Sequence, residues 1–215
     1  MLDRVLSILA PHHCYRCQKP PKLLCSECKK HNIKNYNSNN EIVLRIDGKA
    51  ILIQYISQRE GALKALIDGY KFQREKISYK ILAEFLNDVF PVSSGEIIIT
   101  IPTSSAHRRE RGYDHMKLIG RQYAKLANTI FLEILEGNRN YSQHEKNYME
   151  RQLLSKDVFS VKNDLKIKKD THIILIDDIL TTGATMKSAV TALRSAGFAN
   201  IKCRVIAYQA FSVDE

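Results

Sequence analysis

The sequence predicts an α/β fold in which a parallel sheet is covered by helices on both faces and preceded by a small metal-binding module. Short apolar runs typical of strands alternate along the chain with segments of 3.6-residue apolar periodicity typical of helices. The 215 residues, 44% of them apolar, suffice for one full-sized α/β domain and an accessory module. Four of the five cysteines lie within residues 1–31, and they predict the module.

The chain is basic, with 33 Lys and Arg residues against 23 Asp and Glu residues and a net charge of +10. This imbalance favours polyanionic partners, either phosphate-rich metabolites or nucleic acid, although a generally basic proteome would produce it too. No window approaches the roughly 18 apolar residues of a membrane span. The N-terminal apolar stretch is too short for a secretory signal. We therefore expect no membrane span and a cytoplasmic location.

The N-terminal cysteines have the spacing C-x2-C-x7-C-x2-C. Each C-x2-C pair can offer two thiolates to one tetrahedral ion, and a reducing compartment disfavours disulfides, so we predict a structural Zn²⁺ site. Four sulfur ligands leave no open position for catalysis. A thioredoxin-like redox motif is the alternative, although it needs one such pair rather than two. The predicted zinc ligands are Cys14, Cys17, Cys25 and Cys28.

An asparagine-rich stretch, residues 32–40, predicts a linker after the cysteines. We therefore assign residues 1–35 to a zinc-finger module and residues 36–215 to the main domain. Two apolar runs flank Asp47-Gly48, a dipeptide that favours a hairpin turn. Two amphipathic helices follow, and the second has one apolar face. That face consists of Leu82, Phe85, Leu86 and Val89.

The second half of the chain continues the alternation. Residues 95–102 predict a buried strand ended by proline, and we interpret the basic segment after it as a loop. A helix and a strand, residues 116–127 and 129–135, lead to a polar segment that predicts a mobile functional loop, residues 136–157. A strand, a helix and a last strand complete the domain, and the helix buries one side. These elements are residues 172–177, 183–196 and 201–208, and the buried side holds Met186, Val190 and Leu193.

Two acids, Asp177 and Asp178, end the strand that begins at His172, and a turn of small residues follows them. Ligands of open α/β sheets sit beyond the carboxyl ends of the strands, and a helix N-terminus beside a glycine favours a phosphate. The two carboxylates can accept hydrogen bonds from vicinal hydroxyls. A phosphate on one side and a diol on the other describe a ribose 5-phosphate. An acidic strand end of Walker B type, or a chance run, is the alternative.

The segment Ile173–Thr185 resembles the phosphoribosyl pyrophosphate (PRPP) loop of type I phosphoribosyltransferases, in which apolar residues precede two acids and a Thr/Gly-rich turn. The resemblance implies a type I phosphoribosyltransferase-like fold. It also implies that Asp177 and Asp178 are the catalytic pair that binds the ribose hydroxyls, and that Mg²⁺ arrives with PRPP. The implied ligands of the 5-phosphate are Thr181, Thr182, Gly183, Ala184 and Thr185.

The basic segment after Pro102 resembles, by its position, the pyrophosphate loop of the same enzymes. Arginine forks suit phosphate oxygens, although a solvated basic loop is the alternative. Lys71 and Arg74 are further candidates. The candidates in the loop itself are Thr103, Ser104, Ser105, Arg108, Arg109 and Arg111.

The polar loop 136–157 lies where these enzymes carry a flexible lid that closes over PRPP and excludes water. His144 could carry a proton in that lid, although a lone histidine in a loop is more often a surface residue. The other polar candidates in the lid are Arg139, Gln143, Lys146 and Arg151.

The four-cysteine module, the segment GYKF (69–72), the basic segment (101–115), the lid and the acidic strand end together resemble the ComF family of competence proteins, in particular its ComFC type. The similarity extends over nearly the full chain. Asp114 and His115 replace the Asn and Gln of that family, so the roles of these two positions stay open. The resemblance implies a role in natural transformation. The implied ligands are PRPP and internalised single-stranded DNA, and the implied partners are proteins of the competence machinery such as a DNA helicase.

Three functions stay open at this point. The first is a PRPP-binding, phosphoribosyltransferase-type protein that handles incoming single-stranded DNA. The second is a metabolic phosphoribosyltransferase for a nucleobase or other small acceptor, and the third is a DNA-binding adaptor that keeps PRPP as a regulatory ligand. Four tyrosines among basic residues could stack unpaired bases, although core packing explains tyrosines more often. They are Tyr15, Tyr36, Tyr55 and Tyr70.

Overall fold

The structure is a computed structural model. It describes residues 12–34, 40–73, 75–137, 158–162 and 167–210. Some residues singled out in the sequence therefore lie outside the described residues. They are Tyr36, Arg74, Arg139, Gln143, His144, Lys146 and Arg151, together with most of the predicted lid.

The structure confirms the predicted α/β class. In chain order the elements are α1 (Ser26–Lys34), β1 (Glu41–Ile46), β2 (Lys49–Gln58), α2 (Gly61–Phe72), α3 (Ser78–Val89), β3 (Glu96–Thr100), α4 (Ser105–Arg111), α5 (His115–Leu126), β4 (Ile130–Leu132), β5 (Leu135–Gly137), β6 (Phe159–Val161), β7 (His172–Leu180), α6 (Ala184–Ser195) and β8 (Ile201–Tyr208). Within the described ranges no helix is long and apolar enough to cross a membrane.

The main sheet is mostly parallel. Its six strands within the described residues have the order β1-β2-β8-β7-β3-β4, and β1 and β2 alone among them form an antiparallel pair. Asp47 and Gly48 join these two with φ angles of 49° and 75°. Positive φ at both central residues is the requirement of a tight hairpin turn, so the hairpin prediction is confirmed. β7 lies between β3 and β8, which brings the carboxyl ends of β3 and β7 together.

Apolar residues fill both faces of the sheet. One buried cluster combines β7 and β8 with α2, α3 and α5, and it includes the predicted face of α3, which is formed by Leu82, Phe85, Leu86 and Val89. The other cluster lies under α6, where Met186, Val190 and Leu193 are buried as predicted. Burial on both faces explains why β3 and β7 are nearly continuous apolar runs.

The cysteine module packs on the main domain. Cys14, Leu23 and Leu24 belong to the same buried cluster as α2 and α3. Lys29 of α1 reaches across to Glu84 and Asp88 of α3, at N–O distances of 2.7 and 3.0 Å. The module and one helical face of the domain therefore share a core.

Three predictions of local structure were wrong in detail. The basic segment after Pro102 contains the helix α4, because Ser104 caps its N-terminus and Gly112, with φ 78°, ends it. The predicted strand 129–135 is two short strands in different sheets, β4 and β5. β7 continues to Leu180, so Asp177 and Asp178 lie inside the strand rather than after it.

Candidate functional site

A cavity of about 390 Å³ opens at the carboxyl ends of β3 and β7. Residues that follow β2 and β8 and residues of α2, α4, α5 and the start of α6 also reach it. The predicted site residues that line it are Lys71, Thr103, Ser104, Arg111, Asp177, Asp178, Thr181 and Thr185. The predicted residues outside its lining are Ser105, Arg108, Arg109, Thr182, Gly183 and Ala184. The structure therefore brings most of the predicted site residues, from three separate segments of the sequence, together around one cavity.

Asp178 is buried in the wall of the cavity, with 6% of its surface exposed. Its Oδ2 atom accepts from Lys71 Nζ at 2.7 Å and from His115 Nε2 at 2.6 Å. Burial opposes ionisation of this carboxyl, but the charge of Lys71 and the hydrogen bond from His115 outweigh it and lower the pKa well below its ordinary value. Asp178 is therefore a carboxylate held by two donors.

The side chain of Asp177 projects from the opposite face of the strand and is only partly buried. Its Oδ1 atom accepts the backbone N–H of Asp178 at 2.9 Å. Burial and the negative charge of Asp178 raise the pKa of Asp177 to about 8. The pKa values of the two adjacent acids are therefore shifted in opposite directions, that of Asp178 downward and that of Asp177 upward.

The turn between β7 and α6 lies beside the cavity. Gly183 has φ 77°, so the backbone conformation favours glycine, and a Cβ at this position would also displace the end of the Leu44 side chain, whose Cδ1 would lie 2.5 Å away. The Thr182 hydroxyl accepts the N–H of Ala184 at 3.3 Å. Thr181 and Thr185 line the cavity on either side of this turn. A helix N-terminus of this kind suits an anion.

The helix α4 separates the three arginines of the basic segment. Arg111 lines the cavity, and its guanidinium carbon lies 5.7 Å from the ring centroid of Phe72. Arg108 and Arg109 are exposed and do not line it. The sequence could not distinguish them, because a loop allows all three arginines to converge whereas a helix turns each residue about 100° from the one before it and fixes a different direction for each.

Two cavity residues were missed in the sequence. Arg59 follows β2, donates to Gln209 Oε1 at 2.7 Å and pairs with Asp68. Its position becomes evident only when β2 is known to lie parallel to β8. His115 was noted only as a departure from the ComF pattern, and the structure places it against Asp178.

The tyrosines proposed for base stacking have other contacts. Tyr70 is buried, and its hydroxyl donates to the carbonyl oxygen of His115 at 2.9 Å. Its ring is therefore part of the core that holds His115 in place and is not accessible for stacking on a base. The hydroxyl of Tyr15 donates to Glu75. Tyr55 packs against Tyr208 with a centroid distance of 5.3 Å and is partly exposed.

The four N-terminal cysteines form a second candidate site. Their Sγ atoms all lie within 4.8 Å of one another, as a tetrahedral zinc site requires. Burial opposes ionisation of Cys14, but N–H groups of Cys17, Cys25 and Arg16 lower its pKa to about 6. Burial and hydrogen bonds with the other three thiols raise the pKa of Cys28 to about 12. Four thiolates at this spacing need a cation between them, and Zn²⁺ fits the donor set.

The chain is similar to proteins of known families. Residues 123–213 match the family model of the phosphoribosyl transferase domain. The chain is 26% identical to competence protein ComFC of Streptococcus pneumoniae (strain ATCC BAA-255 / R6), covering 83% of this chain and 77% of that protein. It is 25% identical to competence protein ComFC of Bacillus subtilis (strain 168), covering 89% and 75%.

Solved structures with similar folds include adenine phosphoribosyltransferase from Leishmania tarentolae, with a TM-score of 0.43, 14% identity, and coverage of 78% of this chain and 94% of that one. The glutamine PRPP amidotransferase from B. subtilis has a TM-score of 0.41 and 17% identity. The match covers 59% of this chain but only 25% of the amidotransferase.

The sheet, its acidic strand end and the matched domain define a phosphoribosyltransferase-type α/β protein with an N-terminal four-cysteine cluster. Within that class, the similarity to competence proteins and the cysteine cluster fit a ComFC-like protein.

Proposed function

We propose that this chain binds Mg-PRPP in the cavity at the carboxyl ends of β3 and β7. We propose further that it acts on the cytosolic side in the handling of incoming single-stranded DNA. One observation carries the proposal: a single 390 Å³ cavity is lined by two acids, a helix N-terminus and three cationic side chains. PRPP presents a diol and phosphate groups, and this combination offers acceptors for the diol and donors for the phosphates.

Each part of PRPP has a counterpart in the lining. The ribose hydroxyls would contact Asp177 and Asp178, and the 5-phosphate would occupy the turn of residues 181–185. The pyrophosphate would lie against Lys71 and Arg111, with the polar groups at the start of α4 nearby. Those groups are Thr103, Ser104 and Ser105. Mg²⁺ would be held mainly by pyrophosphate oxygens and waters, as is usual for this ion.

A transferase reaction on a nucleobase or another small acceptor is the second candidate function. Phe72 favours it, because this aromatic side chain lines the cavity and 66% of its surface is exposed. An exposed aromatic ring beside a ligand cavity can stack on a planar acceptor. Release of pyrophosphate from PRPP with an added base, but not with single-stranded DNA, would favour this function. PRPP binding without turnover would favour a DNA-binding adaptor that PRPP regulates.

Isothermal titration of Mg-PRPP tests the site. The double substitution Asp177→Ala and Asp178→Ala is expected to weaken binding at least about 100-fold, because each carboxylate–hydroxyl hydrogen bond contributes about 1.5–3 kcal/mol. Asp170→Ala is the matched control, since this acid is exposed and precedes the opposite end of β7. PRPP affinity equal to that of the wild type in a folded double variant would contradict the assignment.

Charge reversal of the exposed arginines tests the DNA proposal. Arg108→Glu with Arg109→Glu is expected to weaken single-stranded DNA binding severalfold and to reduce its salt dependence, because counterion release drives such binding. PRPP affinity should change little, since neither side chain lines the cavity. Anisotropy titrations at two salt concentrations measure both effects.

The matched control for the arginine reversal is Arg45→Glu with Lys49→Glu. These residues are exposed and flank the β1–β2 turn, at the amino end of β2 and away from the cavity. An equal loss of DNA affinity in both double variants would show that the loss results from the change in net charge and not from the position of Arg108 and Arg109. Absence of DNA binding by the wild type at low salt would contradict the DNA proposal and favour the second candidate function.

A further inference from the structure

His115 lies at the centre of a buried network that joins the two sides of the cavity. It is the first residue of α5, and 6% of its surface is exposed. Its Nε2 atom lies 2.6 Å from Asp178 Oδ2 on β7. Its Nδ1 atom lies 3.0 Å from an Arg111 Nη atom on α4 and 2.9 Å from Thr103 Oγ1. One ring therefore contacts the acidic strand end and the basic segment at once.

The hydrogen-bond partners of the His115 ring indicate which of its nitrogens carries the proton. Asp178 is a carboxylate and can only accept, so the proton must be on Nε2. A guanidinium can only donate, so Nδ1 must be unprotonated and accept from Arg111. The hydroxyl of Thr103 can donate either to Nδ1 at 2.9 Å or to Asp114 Oδ1 at 2.8 Å, so it is compatible with an unprotonated Nδ1. Burial lowers the pKa of His115 despite the opposing effect of Asp178, which is consistent with a neutral ring.

We propose that His115 is a positioning residue that holds Asp178 and Arg111 in a fixed relative geometry for the bound ligand. The proposal rests on the proposed function, because the ligand that would contact both groups is PRPP. Its ribose diol would contact the acids and its pyrophosphate would contact Arg111, so the ring sets the spacing between the two halves of the site.

Lys71 cannot replace the ring in this role. Its ammonium group also donates to Asp178 Oδ2, at 2.7 Å, but it has no acceptor to offer Arg111. Arg111 also packs over Phe72, and its buried Nε atom has no hydrogen-bond partner among the described residues. The hydrogen bond to His115 therefore orients the guanidinium in the wall of the cavity.

Two substitutions separate positioning from simple packing. His115→Gln keeps one amide donor for Asp178 and one carbonyl acceptor for Arg111, whereas His115→Ala keeps neither. The alanine variant is expected to bind Mg-PRPP about tenfold or more weakly, which corresponds to the loss of a hydrogen bond to a charged group. The glutamine variant is expected to recover most of that affinity. His172→Ala, at the exposed opposite end of β7, is the control and should bind PRPP normally.

A spectroscopic measurement on the full chain tests the network without any ligand. ¹⁵N NMR of labelled histidine, with His115→Gln to identify the signal, is expected to show a neutral Nε2–H ring at pH 7. A charged or Nδ1–H ring would overturn the proposal, and so would PRPP binding by a folded His115→Ala variant equal to that of the wild type. Failure of the wild-type protein to bind PRPP would instead refute the proposed function. The two outcomes are distinguishable, because the positioning proposal is tested by comparing the variants with a wild type that binds PRPP.

Discussion

Replacement of Cys14 by serine is expected to release the zinc ion and to destabilise the helical face of the main domain along with the N-terminal module. Cys14 is fully buried and shares a core with Leu23, Leu24 and the helices α2 and α3. Zinc binding by such clusters contributes about 10–16 kcal/mol to folding in small metal-dependent modules. Loss of the metal would therefore also remove the layer that covers α3. Metal analysis and thermal unfolding of the purified variant measure the two effects.

Cys203→Ser is the matched control for the zinc prediction. Cys203 is as buried as Cys14, but it lies in β8 and outside the cysteine cluster. Its serine variant is expected to keep about one zinc ion per chain, as a closed four-sulfur site does. A full complement of zinc in the Cys14→Ser variant would show that the cluster is not the zinc site. Loss of zinc with an unchanged melting temperature would show that the module does not support the domain.

The substitution Asp178→Asn is expected to destabilise the chain by about 3 kcal/mol at pH 7, because it leaves the Lys71 ammonium group without its carboxylate in a largely buried position. The pKa of Asp178 is lowered in the folded state, so its stabilising contribution is present above the ordinary carboxyl pKa and is lost as the pH falls below it. The difference between wild type and variant should therefore shrink between pH 7 and pH 3. Chemical denaturation at both values measures it.

A second ion pair provides the comparison. Lys117 and Glu133 are also 2.7 Å apart, but both side chains are more than a third exposed. Glu133→Gln is therefore expected to cost less than about 1 kcal/mol. The double substitution Lys71→Met and Asp178→Asn should recover stability, since no charge is then left unpaired. Equal effects of the two single substitutions would contradict the special role of burial at Asp178.

Local patterns made much of the fold predictable. The Asp47-Gly48 turn, the apolar face of α3, the strand before Asp177 and the cysteine spacing each depend on neighbouring residues, and the structure has all of them. The α4 helix was not predicted, because its stabilising features are a single capping serine and a terminal glycine within a polar segment.

The missed site residues depend on contacts between distant segments. Arg59 reaches the cavity only because β2 pairs with β8, and the hairpin pattern around Asp47 suggests a purely local partner for β2. His115 meets Asp178 across 63 positions of sequence. Its pairing has no local signature, since a histidine at a helix start equally suits a solvated surface. The direction of Arg108 and Arg109 likewise follows from a helix that the sequence pattern did not indicate.

The strand order also determines when the protein can finish folding on the ribosome. β2 pairs with β1 as soon as both are made, but its other neighbour is β8, which is synthesised last. β7 also pairs with β8 on one side, so the centre of the sheet closes only after β8 has emerged. The cysteine cluster precedes every strand of this sheet in the chain, so it can bind a metal before the sheet closes. Nascent chains that stop before Ile201 would therefore carry a metal-bound module beside an open sheet with unpaired strand edges, a form prone to aggregation.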